Sequence, residues 1–196
     1  MNIVFLGKGN MGAPLAKLAT VSGHTVQAFG SQDNPLDALK GADLVFLATK
    51  YEQALCLAKQ PDVAQALAGK IVVDITNPLA SDYMSLTVGH TTSAAEQIAE
   101  QLRAAHVVKA FNTVFASLLA KRADGEDVAV PVFVAGNDSK AVETVADLSR
   151  AFGFTTIVGG ALSNARYLEP MAEFMIQLGY GLGHGDKIGF GLLKAG

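Results

Sequence analysis

Apolar residues follow one another along this chain in two alternating rhythms. Short runs at residues 2–6, 25–29, 43–48, 71–75, 106–109, 132–135 and 155–158 read as strands. The first is apolar without alternation, so it is predicted to be buried on both faces. Between the runs the spacing becomes helical. Met11, Leu15 and Leu18 form one stripe, which Gly23 closes. Asn34-Pro35 opens a short helix to Lys40, and residues 52–59 form another. Residues 92–103 are polar, with Ala95, Ile98, Ala99 and Leu102 on one face, and residues 139–152 complete the set.

Strands that alternate with helices predict an α/β fold of Rossmann type, a doubly wound and mostly parallel sheet covered on both faces. Right-handed crossovers are then expected to bring the carboxyl end of every strand to one edge, where such sheets bind ligands. Residues 121–127 are charged and contain glycine, and read as a surface loop. Residues 162–178 are predicted as one long helix kinked at Pro170. Its polar face carries Arg166, Glu169, Glu173 and Gln177, with Arg166 and Glu169 expected as a surface ion pair. The opposite face carries Ala165, Leu168, Met171, Ala172 and Met175. The tail, 179–196, is rich in glycine and apolar residues, and is expected to add an edge strand or lie over a cleft. Residues 1–160 are thus read as a dinucleotide-binding unit, and 161–196 as a helix and tail packed on it, one domain overall.

Composition narrows the function classes. The 196 residues carry a formal charge of −3, half are hydrophobic and 17% are charged, which excludes a disordered chain. That charge gives no footprint for nucleic acid, and no apolar stretch approaches the roughly 20 residues that span a bilayer. The first apolar run is too short for a signal peptide. The lone Cys56, read as packing within a helix, excludes a disulfide framework. A cytoplasmic setting is therefore expected. The four histidines lack metal-ligand spacing, so no metal is assigned.

The chemistry concentrates in Gly7-Lys8-Gly9-Asn10-Met11-Gly12, which matches G-x-G-x-x-G directly between a strand and a helix. Gly7 permits the tight turn, Gly9 the approach of a pyrophosphate, and Gly12 close packing of helix on strand. The helix N-terminus holds the anion. An NAD site places a carboxylate near the end of the second strand, about 20 residues past the loop. Here that end reads Gly30-Ser31-Gln32, with no carboxylate before Asp33. The absent carboxylate, the Ser31 hydroxyl and the Lys8 cation therefore point to NADP, while Gln32, a further candidate contact, is not the arginine of a strong phosphate site. Thr49 and Lys50 follow the third strand, and Asn77-Pro78 the fourth. Asn77 is a candidate for bonding a carboxamide or ribose, and Asn112, after the fifth strand, for touching nicotinamide or the second substrate. The same residues also suit turn and cap roles.

GKGNMG, the Gly30-Ser31 turn, DITNPL at 74–79, VKAFNT at 108–113 and SNARYLEPM at 163–171 together resemble the NADP-dependent oxidoreductases of the deazaflavin (coenzyme F420) reductase family. The cytoplasmic domains of six-transmembrane ferric reductases are similar in the same blocks. The resemblance implies a Rossmann fold and hydride exchange between NADP(H) and a flavin-like or deazaflavin partner. The chain departs from the family at Lys8, where threonine is frequent, and at Gln32, where arginine commonly follows the serine. Two other readings use the same loop: a non-catalytic NADP(H) sensor, and a relative of the hydroxyacid or imine dehydrogenases. No acid/base constellation stands out, which agrees with ring-to-ring hydride transfer governed by positioning at Asn77 and Asn112. The apolar C-terminal segment further predicts a homodimer.

Overall fold

The computed structural model of the chain describes residues 1–195. Seven strands form one sheet: β1 (Asn2–Leu6), β2 (Thr25–Phe29), β3 (Leu44–Leu47), β4 (Ile71–Asp74), β5 (His106–Ala110), β6 (Val132–Gly136) and β7 (Thr156–Val158), in the order β2-β1-β3-β4-β5-β6-β7. The first five are parallel, as the alternation predicts. The expectation of a single carboxyl edge fails at β6, which pairs antiparallel to β5, while β7 runs parallel to β6. The chain leaves β5, passes through α6 (Ala116–Ala123) and enters β6 at the edge it left. Only five strands therefore deliver their carboxyl ends to the ligand edge.

Each central strand feeds two cores. Phe5 and Phe46 stack on one face with centroids 4.4 Å apart, while Val4, Leu6, Val45 and Leu47 fill the other. This explains the unbroken apolar runs, because helices cover both faces. On the first face lie α1 (Gly12–Val21), α6 and α7 (Ser139–Ala151). On the second lie α2 (Leu36–Gly41), α3 (Tyr51–Ala58), α4 (Pro61–Ala66) and α5 (Ala94–Gln101).

Three expectations need correction here. Lys121–Ala123 continue α6 instead of beginning a loop, since Arg122 donates to the Phe152 carbonyl (2.8 Å) and is tied inward. The long C-terminal helix is divided into a 3-10 turn (Leu162–Asn164), α8 (Ala165–Ile176) and a π turn (Gln177–Gly181), with Pro170 accommodated inside α8. The described part of the tail forms no strand. It lies over the first face, with Ile188 and Phe190 against the core and Phe190 stacked on Phe174. Gly196 lies outside the described residues.

α8 crosses the ligand edge of the sheet. Ala165 belongs to the second core and Met175 to the first, so the helix roofs the ends of β4 and β5.

Candidate active site

The strand order reverses between β1 and β3, and the loops leaving these two strands flank the resulting crevice. Gly7 has φ +123°, and a Cβ there would stand 2.2 Å from the Ala48 carbonyl. A Cβ on Gly12 would stand 2.2 Å from the Gly7 carbonyl. Both glycines are thus required by the backbone itself. Gly9 differs, because a Cβ there meets nothing within 4 Å. The space above it is open, and α1 begins with no side-chain cap and no acid in its first turn. Such a terminus favours an anion.

Two cavities flank the loop. The larger, about 750 Å³, is lined by Gly7, Lys8, Gly9, Asn10 and Met11, by Ser31 and Asp33, and by Thr49 and Lys50. The smaller, about 520 Å³, is lined by Thr76, Asn77, Asn112, Phe115, Met175 and Ile176, among others. Met11, Ala48, Thr49, Lys50 and Tyr83 belong to both walls, so the cavities form one trough along the carboxyl edge. Three of the expected binding residues stand outside it. Gly12 is buried beneath the loop, Gln32 is an exposed turn residue, and Pro78 is buried with its carbonyl accepting from Thr87.

Asn77 and Asn112 are brought together. Asn77 Nδ2 donates to the Asn112 main-chain carbonyl, and Asn112 Nδ2 donates to Asn77 Oδ1 and the Leu168 carbonyl, all at 3.0 Å. The preceding Phe111 holds a left-handed φ of 61°, costly for an aromatic residue. It is held there by complete burial against Phe46, Phe152 and Phe154. Asn112 Oδ1 and Thr76 Oγ1 are buried at the cavity without a hydrogen-bond partner. Orphaned polar atoms of this kind are costly, and Thr113 Oγ1 is a third of them.

Beneath this floor lies a charge cluster that the sequence pattern did not reveal. Lys109 Nζ donates to Asp74 Oδ2 and Glu169 Oε1, each at 2.8 Å, and to the Thr76 carbonyl. All three charged residues are at most 1% exposed. Glu169 also accepts from the Ala94 and Ala95 N–H groups, so it caps α5. The expected surface pair of Arg166 and Glu169 is therefore incorrect. Arg166 instead forms a bidentate pair with Glu96, whose carboxyl it holds below its ordinary range. Burial works against the Lys109 ammonium, but the two carboxylates outweigh it and hold its pKa above the usual lysine value.

The sequence pattern left out Tyr83 and Phe115, set Asp33 beyond the site, and misplaced Cys56, which is exposed and lines the larger cavity. Tyr83 sits in a hairpin after β4 with φ 60°, and Lys50 lies 5.9 Å from its ring centroid. Adjoining the smaller cavity, Asp82, Tyr83, Met84, Phe115, Ile176 and Tyr180 line a further recess of about 360 Å³.

Residues 28–78 match the family model described as NADP oxidoreductase, coenzyme F420-dependent. A crystal structure from Arthrobacter sp. FB24, provisionally assigned as an F420-dependent NADP reductase, superposes with a TM-score of 0.85 at 31% identity, covering 99% of this chain and all of that one. The chain belongs to the coenzyme F420-dependent NADP oxidoreductase family. Metalloreductase STEAP3 of Rattus norvegicus is 34% identical over 137 residues, 69% of this chain and 26% of that protein. Human metalloreductase STEAP2 is 30% identical over 145 residues. The chain spans about a quarter of the length of these curated relatives. The glycine loop precedes the stretch matched by the family model. No helix among the described residues is long and apolar enough to cross a membrane.

Proposed function

We propose that this family member binds NADP(H) along the trough and passes a hydride to a flavin-like or deazaflavin acceptor. The observation that carries this is the continuity of the two cavities across the glycine loop. The open space over Gly9 and the uncapped start of α1 fit a pyrophosphate. Lys8 and Ser31 line the larger cavity, where in this reading they meet the adenosine ribose and its phosphate, with Asn10, Met11, Thr49 and Lys50 along the wall. Asn112 Oδ1 and Thr76 Oγ1 are polar atoms in want of partners at the far end, suited to a carboxamide. Bound there, the reduced nicotinamide supplies the hydride.

The chain's own contribution is positioning. Phe111 and Lys109 fix the loop that carries Asn112 and the carbonyl of Thr76. Met175 and Ile176 exclude water, which strengthens polar contacts inside. The recess between Tyr83, Phe115 and Tyr180 offers aromatic edges to a planar acceptor, with Phe115 and Tyr180 5.6 Å apart and edge-to-face. A cytoplasmic setting suits the single free thiol. A second copy of the chain is proposed to cover the exposed Tyr167 and Phe174 on α8.

The test is turnover of NADPH deuterated stereospecifically at C4, with deazaflavin, flavins and quinones as acceptors. Reduced deazaflavin should carry deuterium on one face. If no acceptor oxidises NADPH while the cofactor still binds, the chain is a sensor.

A further inference from the structure

At the end of β2 the chain turns sharply, and Asp33 folds back over the strand end. Its Oδ2 accepts from the Gly30 N–H and from Lys8 Nζ, both at 2.7 Å. An added Cβ on Gly30 would stand 3.6 Å from that oxygen and 4.0 Å from Lys8 Cδ, so both side chains lie across Gly30. Phe29, Gly30, Ser31, Asp33 and Lys8 all line the larger cavity. The carboxylate that sequence reading placed beyond the strand end is therefore in the adenosine end of the trough. No protein donor among the described residues reaches its Oδ1.

We propose that Asp33 sets the nucleotide selectivity of this chain by competing with a ribose 2′-phosphate for Lys8. This rests on the reading of the larger cavity as the adenosine end of a dinucleotide site. Of the two lysines lining this cavity, Lys8 is the one at the Gly30 turn, and Asp33 neutralises it. An NAD(H) ribose offers hydroxyls that the free Oδ1 can accept, with the ion pair intact. A 2′-phosphate must draw Lys8 away and then tolerate the Asp33 charge beside it. The exchange is feasible because the side chains are 53% and 42% exposed, and surface pairs are weak. Lys8 replaces an arginine's function only in part: it is a single point charge already shared with a carboxylate. Selectivity for NADP(H) is thus held below what Lys8 and Ser31 alone would confer.

The experiment titrates the full chain and its variants with NADPH, NADH and adenosine 2′,5′-bisphosphate by calorimetry. Asp33→Asn keeps an oxygen for the Gly30 N–H but removes the charge. It should raise the ratio of NADPH to NADH affinity by about tenfold, the scale of one unit charge removed a few ångströms from a phosphate at a solvent-facing site. Binding of the bisphosphate should tighten in parallel. Asp33→Ser, a second neutral variant, should move the ratio in the same direction if the first variant disturbs the turn. Lys8→Met should lower the ratio by about tenfold. A ratio within twofold of the parent in both Asp33 variants would overturn the proposal and leave the dinucleotide reading standing. Undiminished NADPH affinity in a folded Gly9→Val variant would instead remove the dinucleotide reading, and the proposal with it.

Discussion

Lys109 and Glu169 form a buried ion pair, Nζ to Oε1 2.8 Å, between residues 60 apart in the chain. The pair ties α8 to β5 at the ligand edge. Asp74, the register partner of Lys109 on β4, completes it from the other side. Two carboxylates share one lysine, and the second lone-pair set of Glu169 is satisfied by the start of α5. Each block of the family resemblance that follows the third strand contributes one member: DITNPL brings Asp74, VKAFNT Lys109 and SNARYLEPM Glu169.

Lys109→Met should destabilise the chain by about 3–5 kcal/mol, because it strands two buried carboxylates. Urea unfolding midpoints measure this. A loss under about 1 kcal/mol would show that the cluster does not hold α8 in place.

Glu169 gives the cluster a pH signature. Burial pushes its carboxyl up, against the opposing pull of Lys109 and the Ala94 N–H. Between the ordinary and the raised value, the folded chain therefore keeps a proton that the unfolded chain releases. Stability should fall as pH rises from about 4.3, the ordinary glutamate value, through the raised folded value. Glu169→Gln should remove that decline, so the stability difference between variant and parent changes with pH across this window. A constant difference from pH 4 to 8 would contradict the raised value.

The loop glycines should separate into two classes. Gly7→Ala and Gly12→Ala drive a Cβ into backbone, 2.2 Å from a carbonyl oxygen in each case. Each should cost about 2–3 kcal/mol in stability. Gly9→Ala should fold within about 0.5 kcal/mol of the parent, since its Cβ meets open space. Thermal melts of the three variants make the comparison directly.

Asn77→Ala and Asn112→Ala should each lower turnover 10- to 100-fold, about 1.4–2.7 kcal/mol in barrier. Asn112→Ala should also lose stability, because the Leu168 carbonyl and Asn77 Oδ1 forfeit their donor. Steady-state rates alongside urea midpoints separate the two effects.

Light scattering at micromolar concentration should give a dimer mass. Tyr167 and Phe174 are 73% and 50% exposed on α8. Tyr167→Asp with Phe174→Asp should yield monomers without loss of helix content. A monomeric parent would remove the dimer.

Much of the fold is legible because strand and helix periods are local. β1 and β2 begin and end where the apolar runs do, and the tight turn and helix after β1 follow from the glycines and the Leu15, Leu18 stripe. α4 left a readable signal in Pro61 and Asp62 at its start, but six residues are too few to show a period. Lys121 to Ala123 look like loop because charge and glycine follow them, whereas the contact of Arg122 with Phe152 lies far off in sequence.

Glu169 shows where local reasoning stops. A helical wheel groups it with Arg166 and Glu173, since a wheel knows only spacing along one helix. α8 lies across the edge of both cores, and the side chain at that angle meets Lys109 and the start of α5, not water. Asp33 is the same lesson at the surface, since its turn returns the carboxylate to Gly30 and Lys8.

The α/β alternation, the glycine loop between β1 and α1, and the positions of Asn77 and Asn112 after strand ends were legible along the chain, because each rests on covalent spacing and backbone geometry. The reversed direction of β6 and β7, the partner of every charge at the site, the contact of Asn77 with Asn112 and the meeting of two cavities over one loop came from packing between distant elements. Those depend on which distant elements come to lie together. Burial then fixes the charges, since a carboxylate or ammonium removed from water must take whatever counter-charge the packed fold brings within reach.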